Sequence, residues 1–440
     1  MRKALLIILI IIGFSLQGCA SFFEGEPEFV KVKDTQFLIG GKPYYFVGTN
    51  YWYGFYLGSP GQTGDRERLI RELDQLKETG ITNLRVLGAS EEFYLKAAVD
   101  PPIQSKPGIY NEALLKGLDF FLAEMGKRDM KAVVYLNNYW EWSGGFAVYN
   151  RWTDSSKSID PNNPKQGWGA YMDYSASFYR NEKANKIFRD YIYMLLTRIN
   201  TITGQRYLDD PTIMSWQLAN EPRPGANEAS LEYIEYFHKW IDETAGYIHS
   251  IDMNHLVSSG NEGLAGCIQN EDVYLTSHKS KNIDYMTMHL WAKNWGWYKA
   301  DNAAATYPVA EENALDYINK HIVYARQLNK PITMEEFGIG RDLESCDPNS
   351  STFYRDKYFS KIFEVVYDSA KAGAPIAGTN FWGWGGEAVS PNSDNIWRVG
   401  DPFMGDPPQE PQGLNSVLST DQSTLKIIKE YSDKMKSISK

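Results

Sequence analysis

Short apolar runs alternate with longer segments in which apolar residues recur at helical spacing along most of the chain. An early unit has a β-rich run from Tyr44 to Asn50, then a segment from Asp65 to Thr79 that Gly80 ends. The leucine and isoleucine residues of that segment fall on one helical face, and a glycine directly after it is a common helix stop. The pattern therefore predicts a strand followed by a helix.

The same alternation continues towards the C-terminus and predicts eight strands. They are Tyr44 to Asn50, Asn83 to Leu87, Lys131 to Asn137, Ile213 to Ala219, Leu256 to Ser259, Tyr285 to Leu290, Ile332 to Glu335 and Thr379 to Trp382. The predicted helices are Asp65 to Thr79, Glu112 to Arg128, Glu182 to Asn200, Leu231 to Ser250, Ala314 to Leu328, Tyr354 to Ala372 and Leu425 to Met435. Eight strand-helix units predict an α/β fold of the (β/α)8 TIM barrel type.

The N-terminus departs from this alternation. Two basic residues precede an apolar run from Ala4 to Leu16, which stops at Gln17-Gly18-Cys19. The run is shorter than the ~20 apolar residues that a membrane-spanning helix needs, and it has the form of an export signal. Its end resembles the lipobox of bacterial lipoproteins, in which the cysteine carries the lipid. An ordinary cleaved signal with a chance cysteine is the alternative.

These features divide the chain into three predicted parts. Residues 1–19 form a lipoprotein signal peptide that ends in the lipidated Cys19, residues 20–33 form a tether, and residues 34–440 form one barrel domain. No linker or repeat marks a second domain. We expect an exported bacterial lipoprotein that contacts a membrane only through its anchor, at the outer membrane or cell surface, with the periplasmic face as the alternative.

Composition narrows the class of partner. The net charge of −10 and a pI near 5.3 argue against nucleic acid, which clustered Lys and Arg would bind. Aromatic residues make up 14% of the chain, with 13 Trp and 29 Tyr. Their rings combine apolar faces with hydrogen-bonding edges, so those outside the core suit an uncharged, hydroxyl-rich partner.

The sequence contains few residues that could form a metal site or a disulfide. The six histidines are scattered, and no metal-binding or phosphate-binding motif occurs. We therefore expect no metal and no cofactor, and we expect a monomer. Besides Cys19, only Cys267 and Cys346 remain, and the sequence leaves open whether they form a disulfide.

Two glutamates follow predicted strands in a way that suggests chemistry. One apolar strand ends in Asn220-Glu221-Pro222, and another ends in Glu335-Glu336-Phe337-Gly338. Reactive side chains of a (β/α)8 barrel lie at the C-terminal ends of its strands, so the fourth and seventh strands would place both carboxylates at one rim. Cleavage of a glycosidic bond with retention needs such a pair, ~5 to 5.5 Å apart. Either glutamate alone would more simply pair with an arginine or cap a helix, but the pair favours catalysis.

At these residues the chain resembles glycoside hydrolase family 5, over nearly all of its length after the signal peptide. The motifs that carry the resemblance are Leu84-Arg85-Val86, Asn220-Glu221-Pro222, Met288-His289-Leu290, Glu336-Phe337-Gly338 and Asn380-Phe381-Trp382. The motifs similar to its endo-β-1,4-mannanase subfamily (subfamily 7) are Leu218 to Arg223, Asn137-Asn138 before aromatic residues and Gly144-Gly145, and Glu335 to Gly338. The resemblance implies endo-hydrolysis of β-1,4-mannosidic bonds in mannan, glucomannan or galactomannan.

The resemblance also implies roles for individual residues. Glu221 resembles the general acid/base and Glu336 the nucleophile of a double displacement, so Glu221 should start protonated and Glu336 ionised. Asn220 would bond the 2-hydroxyl of the attacked sugar, and Arg85 would keep the nucleophile ionised. Glu335 should point away from the site if the strand pleat holds, and it is the reserve candidate.

The remaining candidates are implied to bind substrate. Trp382 resembles the platform under the sugar at the cleavage point, and Arg223 resembles a residue on the leaving-group side, with core packing and a surface ion pair as their alternatives. His289 resembles a substrate-contacting histidine. Trp291 stands where the family often has a tyrosine that bonds the nucleophile, and its N–H keeps a donor there. Further cleft candidates are Trp52, Trp140 and Asn138.

The sequence is compatible with two other functions. A β-1,4-glucanase of the same family would differ only in the C2 configuration of the sugar that it accepts. A surface glycan-binding lipoprotein would keep the barrel without catalysis. The long loops after the third strand (Asn138 to Tyr179) and the eighth strand (Gly383 to Gln412) are predicted to wall an extended cleft, which favours internal cuts in a long chain.

Overall fold

The computed structural model describes residues 28–95 and 97–439, without the side chains of residues 228 and 229. The predicted signal peptide with Cys19 and the tether up to residue 27 lie outside the described residues. Among the helices that are described, none is long and apolar enough to cross a membrane.

Eight parallel strands form the centre of the molecule. They are β1 (Phe46–Asn50), β2 (Asn83–Leu87), β3 (Lys131–Tyr135), β4 (Ile213–Gln217), β5 (Leu256–Ser258), β6 (Met286–Leu290), β7 (Ile332–Phe337) and β8 (Ile376–Phe381). Hydrogen bonding follows the order β5-β4-β3-β2-β1-β8-β7-β6. The ring closes where Asp284 N donates to Val257 O and His289 N donates to Glu262 O, both at 2.8 Å. The predicted (β/α)8 barrel is confirmed.

The eight strands are buried on both faces because side chains fill the barrel on one side and helices cover the other. The covering helices are α1 (Arg66–Glu78), α2 (Glu112–Gly126), α3 (Glu182–Leu196), α4 (Ile234–Ile251), α5 (Glu271–Lys279), α6 (Ala303–Leu328), α7 (Phe353–Lys371) and α8 (Gln422–Ile438). Asp65, Asn111 and Asn181 start α1, α2 and α3, each with a side chain that accepts from a backbone N–H of the first turn.

Two helices differ from the sequence prediction. The helix α6 begins at Ala303 rather than Ala314 and continues through Pro308. Proline removes one backbone hydrogen bond of a helix and therefore reads as a helix stop in a sequence. The helix α5 had no prediction because its nine residues give too short a periodic pattern.

A small antiparallel sheet precedes the barrel. Its strands are Lys31–Lys33, Gln36–Ile39 and Lys42–Pro43, so residues 31–33 of the predicted tether form its first strand. Phe37 of this sheet is buried and contacts the ring of Tyr285, with 5.2 Å between ring centroids. Because Tyr285 precedes β6, the sheet covers the N-terminal end of the barrel, away from the predicted site.

The two long loops lie at the opposite, C-terminal end of the strands. The loop after β3 contains the helices Gly145–Thr153 and Gly167–Ala176. The loop after β8 contains the strand Trp384–Gly386, which pairs with Val417–Leu418 before α8 begins. Both loops contribute residues to one cavity over the barrel, as the sequence predicted.

The two cysteines of the described chain are free thiols. Cys267 is buried, and its sulfur lies 3.5 Å from Asn261 Oδ1 as a hydrogen-bond donor. Cys346 is partly exposed. The structure therefore contains no disulfide between them, a point that the sequence left open.

Candidate active site

Glu221 lies just past the end of β4. Its backbone has φ of 50°, in the left-handed region that non-glycine residues rarely adopt, and its N–H donates to Gly260 O at 3.0 Å. The buried carboxylate accepts from Trp140 Nε1 at 2.7 Å through Oε2 and lies 2.6 Å from His289 Nδ1 through Oε1. Contacts on both oxygens therefore fix the direction of this side chain.

Glu336 is the second-to-last residue of β7. A register shift between Met288 and His289 of the neighbouring β6 pairs Glu336 with His289 and leaves Glu335 without a partner there. The buried carboxylate of Glu336 accepts from Arg85 Nη1 at 2.5 Å and from Trp291 Nε1 at 3.1 Å. Trp291 thus supplies the N–H donor that the sequence suggested in place of a tyrosine.

Glu335 points elsewhere, as the strand pleat predicts. Its carboxylate lies in the barrel interior, where it accepts from Gln217 Nε2 at 2.6 Å and from Tyr285 O–H at 3.3 Å. It does not line the cavity over the barrel. Glu336 is therefore the better candidate of the two for contact with a substrate.

Glu221 and Glu336 approach each other closely across the barrel mouth. One oxygen of each, together with His289, belongs to a group of atoms that lie within 4.8 Å of one another. This spacing is in keeping with the ~5 to 5.5 Å between carboxyl groups of retaining glycosidases and shorter than the ~6.5 to 9.5 Å of inverting enzymes.

Arg85 lies fully buried beneath the two carboxylates. Its guanidinium donates to Glu336 Oε1 at 2.5 Å, Asn220 Oδ1 at 2.7 Å, Gln217 Oε1 at 2.8 Å and Asn50 Oδ1 at 3.1 Å, and it lies 4.6 Å from the ring centroid of Tyr135. Every bond acceptor around it is therefore a side chain from a barrel strand or a strand end. The Arg85 guanidinium therefore forms a buried ion pair with the Glu336 carboxylate.

His289 differs from its sequence-based assignment. It is fully buried and is not among the residues that line the cavity, so it lies behind the carboxylates rather than in the position of a substrate-contacting residue. Its Nδ1 lies 2.6 Å from Glu221 Oε1 and 3.4 Å from Glu336 Oε2. The strand β6 thus places the side chain beneath the two strand ends, and contact of His289 with substrate stays a prediction.

The charges around His289 and Glu221 determine where their shared proton resides. Burial lowers the pKa of His289, but Glu336, Glu221 and Glu335 together raise it well above its usual value. Burial raises the pKa of Glu221, but His289, Arg223 and the Trp140 N–H lower it to about 2. These two directions favour an ion pair of Glu221 and His289, whereas the sequence led us to expect a protonated Glu221.

A cavity of about 500 Å³ lies over the two carboxylates. The predicted residues that line it are Trp140, Asn220, Glu221, Arg223, Trp291, Glu336 and Trp382. Arg223 donates to Glu262 and lies 4.9 Å from the ring centroid of Trp140, so its charge is paired at the cavity wall and not at the protein surface. Trp382 presents a mostly buried ring beside that of Trp291, with 6.1 Å between centroids.

Two predicted cleft residues lie outside this cavity. Asn138 is fully buried, and its Oδ1 accepts from Asn220 Nδ2 at 3.1 Å. Trp52 is buried under the loop after β8 and donates to Gly405 O at 3.0 Å. Asn138 thus positions Asn220, and Trp52 supports a wall of the cleft, while contact of either residue with substrate stays a prediction.

Three glutamates at the cavity were missed by the sequence reasoning. Glu262 follows β5 and pairs with Arg223, and burial raises its pKa to about 7. Burial also raises the pKa of Glu141 to about 7 and that of Glu410 to about 8. Glu262 could have been found, because Asn261-Glu262 follows a predicted strand in the same way as Asn220-Glu221. Glu141 and Glu410 lie within long loops that gave no positional signal.

Glu221, His289 and Glu336 are also residue types that bind metal ions. Arg85 and Trp291 already donate to Glu336, and Trp140 donates to Glu221. A divalent ion would have to displace these bonds beside the Arg85 cation, so the donor set suits hydrogen-bonded carboxylates better than a metal centre. The absence of a metal and of a cofactor stays a prediction.

Two buried carboxylates at the C-terminal end of a (β/α)8 barrel, close enough to flank one bond, define the class of barrel glycoside hydrolases. The family described as GH family 5 beta-mannosidase-like matches residues 27–440. The chain therefore belongs to glycoside hydrolase family 5, and the protein is an enzyme.

Known relatives agree with this family. Mannan endo-1,4-beta-mannosidase 1 of Arabidopsis thaliana is 31% identical over 368 residues, which cover 80% of this chain and 81% of the relative. Mannan endo-1,4-beta-mannosidase 4 of Solanum lycopersicum is 30% identical over 84% of this chain and 87% of its own length. A crystal structure of a glycoside hydrolase family 5 mannosidase from Rhizomucor miehei has 36% identity and a TM-score of 0.86, over 94% of this chain and 99% of that one.

Replacing Arg85 by methionine should lower the free energy of unfolding by ~3 to 5 kcal/mol, because buried carboxylates lose their compensating charge. The matched control is Arg71→Met, which removes an arginine that donates to Glu387 through two nitrogens at the protein surface. This exposed pair contributes little, so the control should unfold like the parent. Urea unfolding followed by tryptophan fluorescence checks both, and equal behaviour of the two variants would contradict the assignment of Arg85.

Proposed function

We propose that this enzyme hydrolyses internal β-1,4-mannosidic bonds of mannan, glucomannan or galactomannan with retention of configuration. The observation that carries the proposal is the pair of buried carboxylates on β7 and after β4, with oxygens within 4.8 Å. The two plant relatives, both named as mannan endo-1,4-beta-mannosidases, support this choice of substrate.

In the proposed reaction, Glu336 is the nucleophile. Arg85 and Trp291 hold its two oxygens by hydrogen bonds, which aims the carboxylate at the anomeric carbon. Attack forms a bond from Glu336 to that carbon and breaks the glycosidic bond, so the leaving oxygen needs a proton. Water later attacks the same carbon and releases Glu336, which restores the original configuration.

Glu221 is the proposed general acid and then the general base. Its proton comes from His289 Nδ1 across the 2.6 Å contact as negative charge develops on the leaving oxygen. In the second step Glu221 takes a proton from the attacking water, and the proton returns to the Glu221–His289 pair. His289 is thus a positioning residue and proton store for Glu221.

The cavity wall supplies the proposed contacts with sugar rings. Trp382 offers an apolar face next to Glu336 for the sugar at the cleavage point. Asn220 keeps one N–H of its amide for the 2-hydroxyl, because the amide oxygen accepts from Arg85 and the nitrogen donates once, to Asn138. Arg223, fixed by Glu262, contacts the sugar on the leaving-group side.

An exo-acting β-mannosidase is a second candidate. The observation in its favour is the likeness to the Rhizomucor miehei protein named as a mannosidase, at 36% identity over 94% of this chain. Both candidates use the same carboxylate pair, since the chemistry at the anomeric carbon is the same. They differ in whether the cleft continues past the sugar at the cleavage point.

The sequence pattern supports a further proposal on location. We propose that the chain is exported and that Cys19 carries a lipid which anchors the enzyme to a bacterial cell envelope. In a Gram-negative host the parent should incorporate labelled palmitate, and Cys19→Ser should incorporate none. Equal labelling of the two proteins, or no labelling of the parent, would contradict the lipid anchor.

Product analysis tests the reaction and the two glutamates together. Protein without residues 1–19 should release short manno-oligosaccharides from β-mannan and less product from carboxymethylcellulose or xylan. Glu221→Gln and Glu336→Gln should each lower kcat at least about 100-fold, because each removes a group that acts on the reacting atoms. Glu387→Gln, at the surface pair with Arg71, is the control that should keep full activity.

The product pattern separates the alternatives. If mannose released from chain ends is the only product, the enzyme is an exo-acting β-mannosidase and not an endo-acting mannanase. Equal or better cleavage of the glucan would make the enzyme a β-1,4-glucanase. Tight binding of mannan with no product over hours would show that the protein is a glycan-binding lipoprotein without catalytic activity.

The pH dependence of kcat/KM tests the role of His289. Its raised pKa means that the Glu221–His289 pair keeps a proton as the pH rises through the usual histidine range, so the basic limb of the parent lies above that range. In His289→Gln only Glu221 can hold the proton, and the basic limb should move at least about one unit to lower pH. His249→Gln, which changes a histidine of α4 outside the site, should leave the profile unchanged.

A second readout separates proton supply from general damage. A dinitrophenyl β-mannoside has a leaving group that needs no proton, so His289→Gln should keep its rate of dinitrophenol release far better than its rate on mannan. An equal loss on both substrates, with an unchanged basic limb, would contradict the proton-store role.

A further inference from the structure

The surface at the N-terminal end of the barrel, opposite the two carboxylates, carries an excess of basic residues. This basal face consists of the small antiparallel sheet (Lys31–Pro43), the last four residues of each helix from α1 to α8, and the connections from these helices to the next strands. Among the described residues it holds ten exposed Lys and Arg but four exposed Asp and Glu. The whole chain has the opposite balance, with 45 basic and 55 acidic residues. The excess of acids therefore lies elsewhere in the molecule.

Most cations of the basal face have no acidic partner. Three of the ten pair with carboxylates at 3.4 Å or less, and the other seven form no ion pair with a described acidic side chain. A helix dipole favours cations in the last turn, which accounts for those at helix ends. It does not account for the lysines of the small sheet. There Val32 pairs with the buried Phe37, so the exposed Lys31 and Lys33 lie on the opposite face of the strand.

Large apolar side chains are exposed beside these cations. Met253, before β5, is 87% exposed, and Ile199 and Ile202, before β4, are 60% and 48% exposed. The side-chain nitrogen of Asn254 donates to the carbonyl oxygen of residue 208 at 2.9 Å, which joins the two connections. Lys31 Nζ donates to the carbonyl oxygen of Asn254 at 2.7 Å. Exposed apolar groups next to lysines are typical of surfaces that lie in the headgroup layer of a membrane.

The described part of the chain begins at the same place. The ring of Phe29 contacts that of His255, with 5.1 Å between centroids, and His255 lies two residues after Met253. Residues 20–27 separate Cys19 from Glu28, the first described residue. An extended chain spans at most ~3.6 Å per residue, so Glu28 lies within about 32 Å of Cys19. A lipid on Cys19 would therefore keep the basal face near the bilayer.

We propose that the basal face docks on the anionic lipid headgroups of the membrane that carries the Cys19 lipid. The proposal goes beyond the reaction and rests on the proposed lipid anchor. Lysines close to an anionic leaflet are attracted to it, and the exposed apolar side chains add contact with the headgroup layer. The lipid fixes one point of the chain, whereas the docked face fixes the orientation of the barrel. The mouth of the cleft lies at the opposite end, so docking directs it away from the bilayer, where a polysaccharide can enter.

Binding to vesicles tests the face without the lipid. Protein without residues 1–19 keeps the whole described barrel. At low salt it should sediment at least about fivefold better with phosphatidylcholine vesicles that contain about 30% phosphatidylglycerol than with phosphatidylcholine alone. The triple variant Lys33→Gln, Lys279→Gln, Lys281→Gln should weaken this binding at least about tenfold, because three cations of the face are lost. Met253→Ser should weaken it about threefold or more, because an apolar contact is lost.

The matched control combines Lys106→Gln, Lys165→Gln and Lys299→Gln. These three exposed lysines lie in loops that follow strands, at the end of the barrel that holds the cleft. The control changes the net charge as much as the triple variant of the basal face does. All proteins also keep the same tether with its glutamates, so only the position of the lost charges differs. The control should bind anionic vesicles within about twofold of the parent, because its lysines lie outside the docked face.

Equal losses in the two triple variants overturn the proposal, and so does equal binding of the parent to both kinds of vesicle. Stronger binding to soluble polygalacturonate than to anionic vesicles also overturns it, because the face would then fit an acidic polysaccharide. None of these measurements uses Cys19 or the cleavage of mannan. Failure of the lipid anchor, seen by palmitate labelling, and failure of the reaction, seen in the products, are therefore recognised separately from failure of the docking face.

Discussion

The site depends on one buried guanidinium in the middle of the barrel. Arg85 is fully enclosed, and a charge taken out of water at that depth is tolerated only when opposite charge and hydrogen-bond acceptors surround it. Glu336 supplies the charge at 2.5 Å, with Glu335 at 3.8 Å, and three amide oxygens complete the shell. The dependence is mutual, since two adjacent buried glutamates would repel each other without the cation. This shared shell links β1, β2, β4 and β7 at the level where their strands end.

The geometry above Arg85 follows from that linkage. Asn220 is fixed by Arg85 on one side and by Asn138 on the other, and Glu221 is the next residue in the chain. Glu221 adopts a left-handed backbone conformation, which is unfavourable for a non-glycine residue. The bonds from its backbone to Gly260 and from its side chain to Trp140 and His289 offset that cost. A barrel can therefore hold both carboxylates at a fixed spacing although they lie more than 100 residues apart in sequence.

The sequence was informative wherever a short pattern determines position. Apolar runs revealed all eight strands, and acids that end two of them, Glu221 and Glu336, could be placed at one rim before any coordinates were known. Side-chain direction was harder to infer. His289 and Asn138 were expected to line the cleft, but they lie behind the residues that line the cavity. Successive side chains at a strand end point in opposite directions, so one residue of difference changes which side a residue faces. Trp52 presents the same difficulty, since a tryptophan after a strand can support a loop or line a cleft.

The long loops were the least predictable part, and they are the part that distinguishes members of one barrel family. Their walls are fixed by a few polar anchors, Asp406 and Gln412 above all, which in a sequence look like ordinary turn residues. These anchors hold Gln409 and Glu410 at the edge of the cavity over the two carboxylates. The loop after β8 therefore determines the shape of the cleft wall, whereas the barrel beneath it holds the carboxylate pair at its fixed spacing.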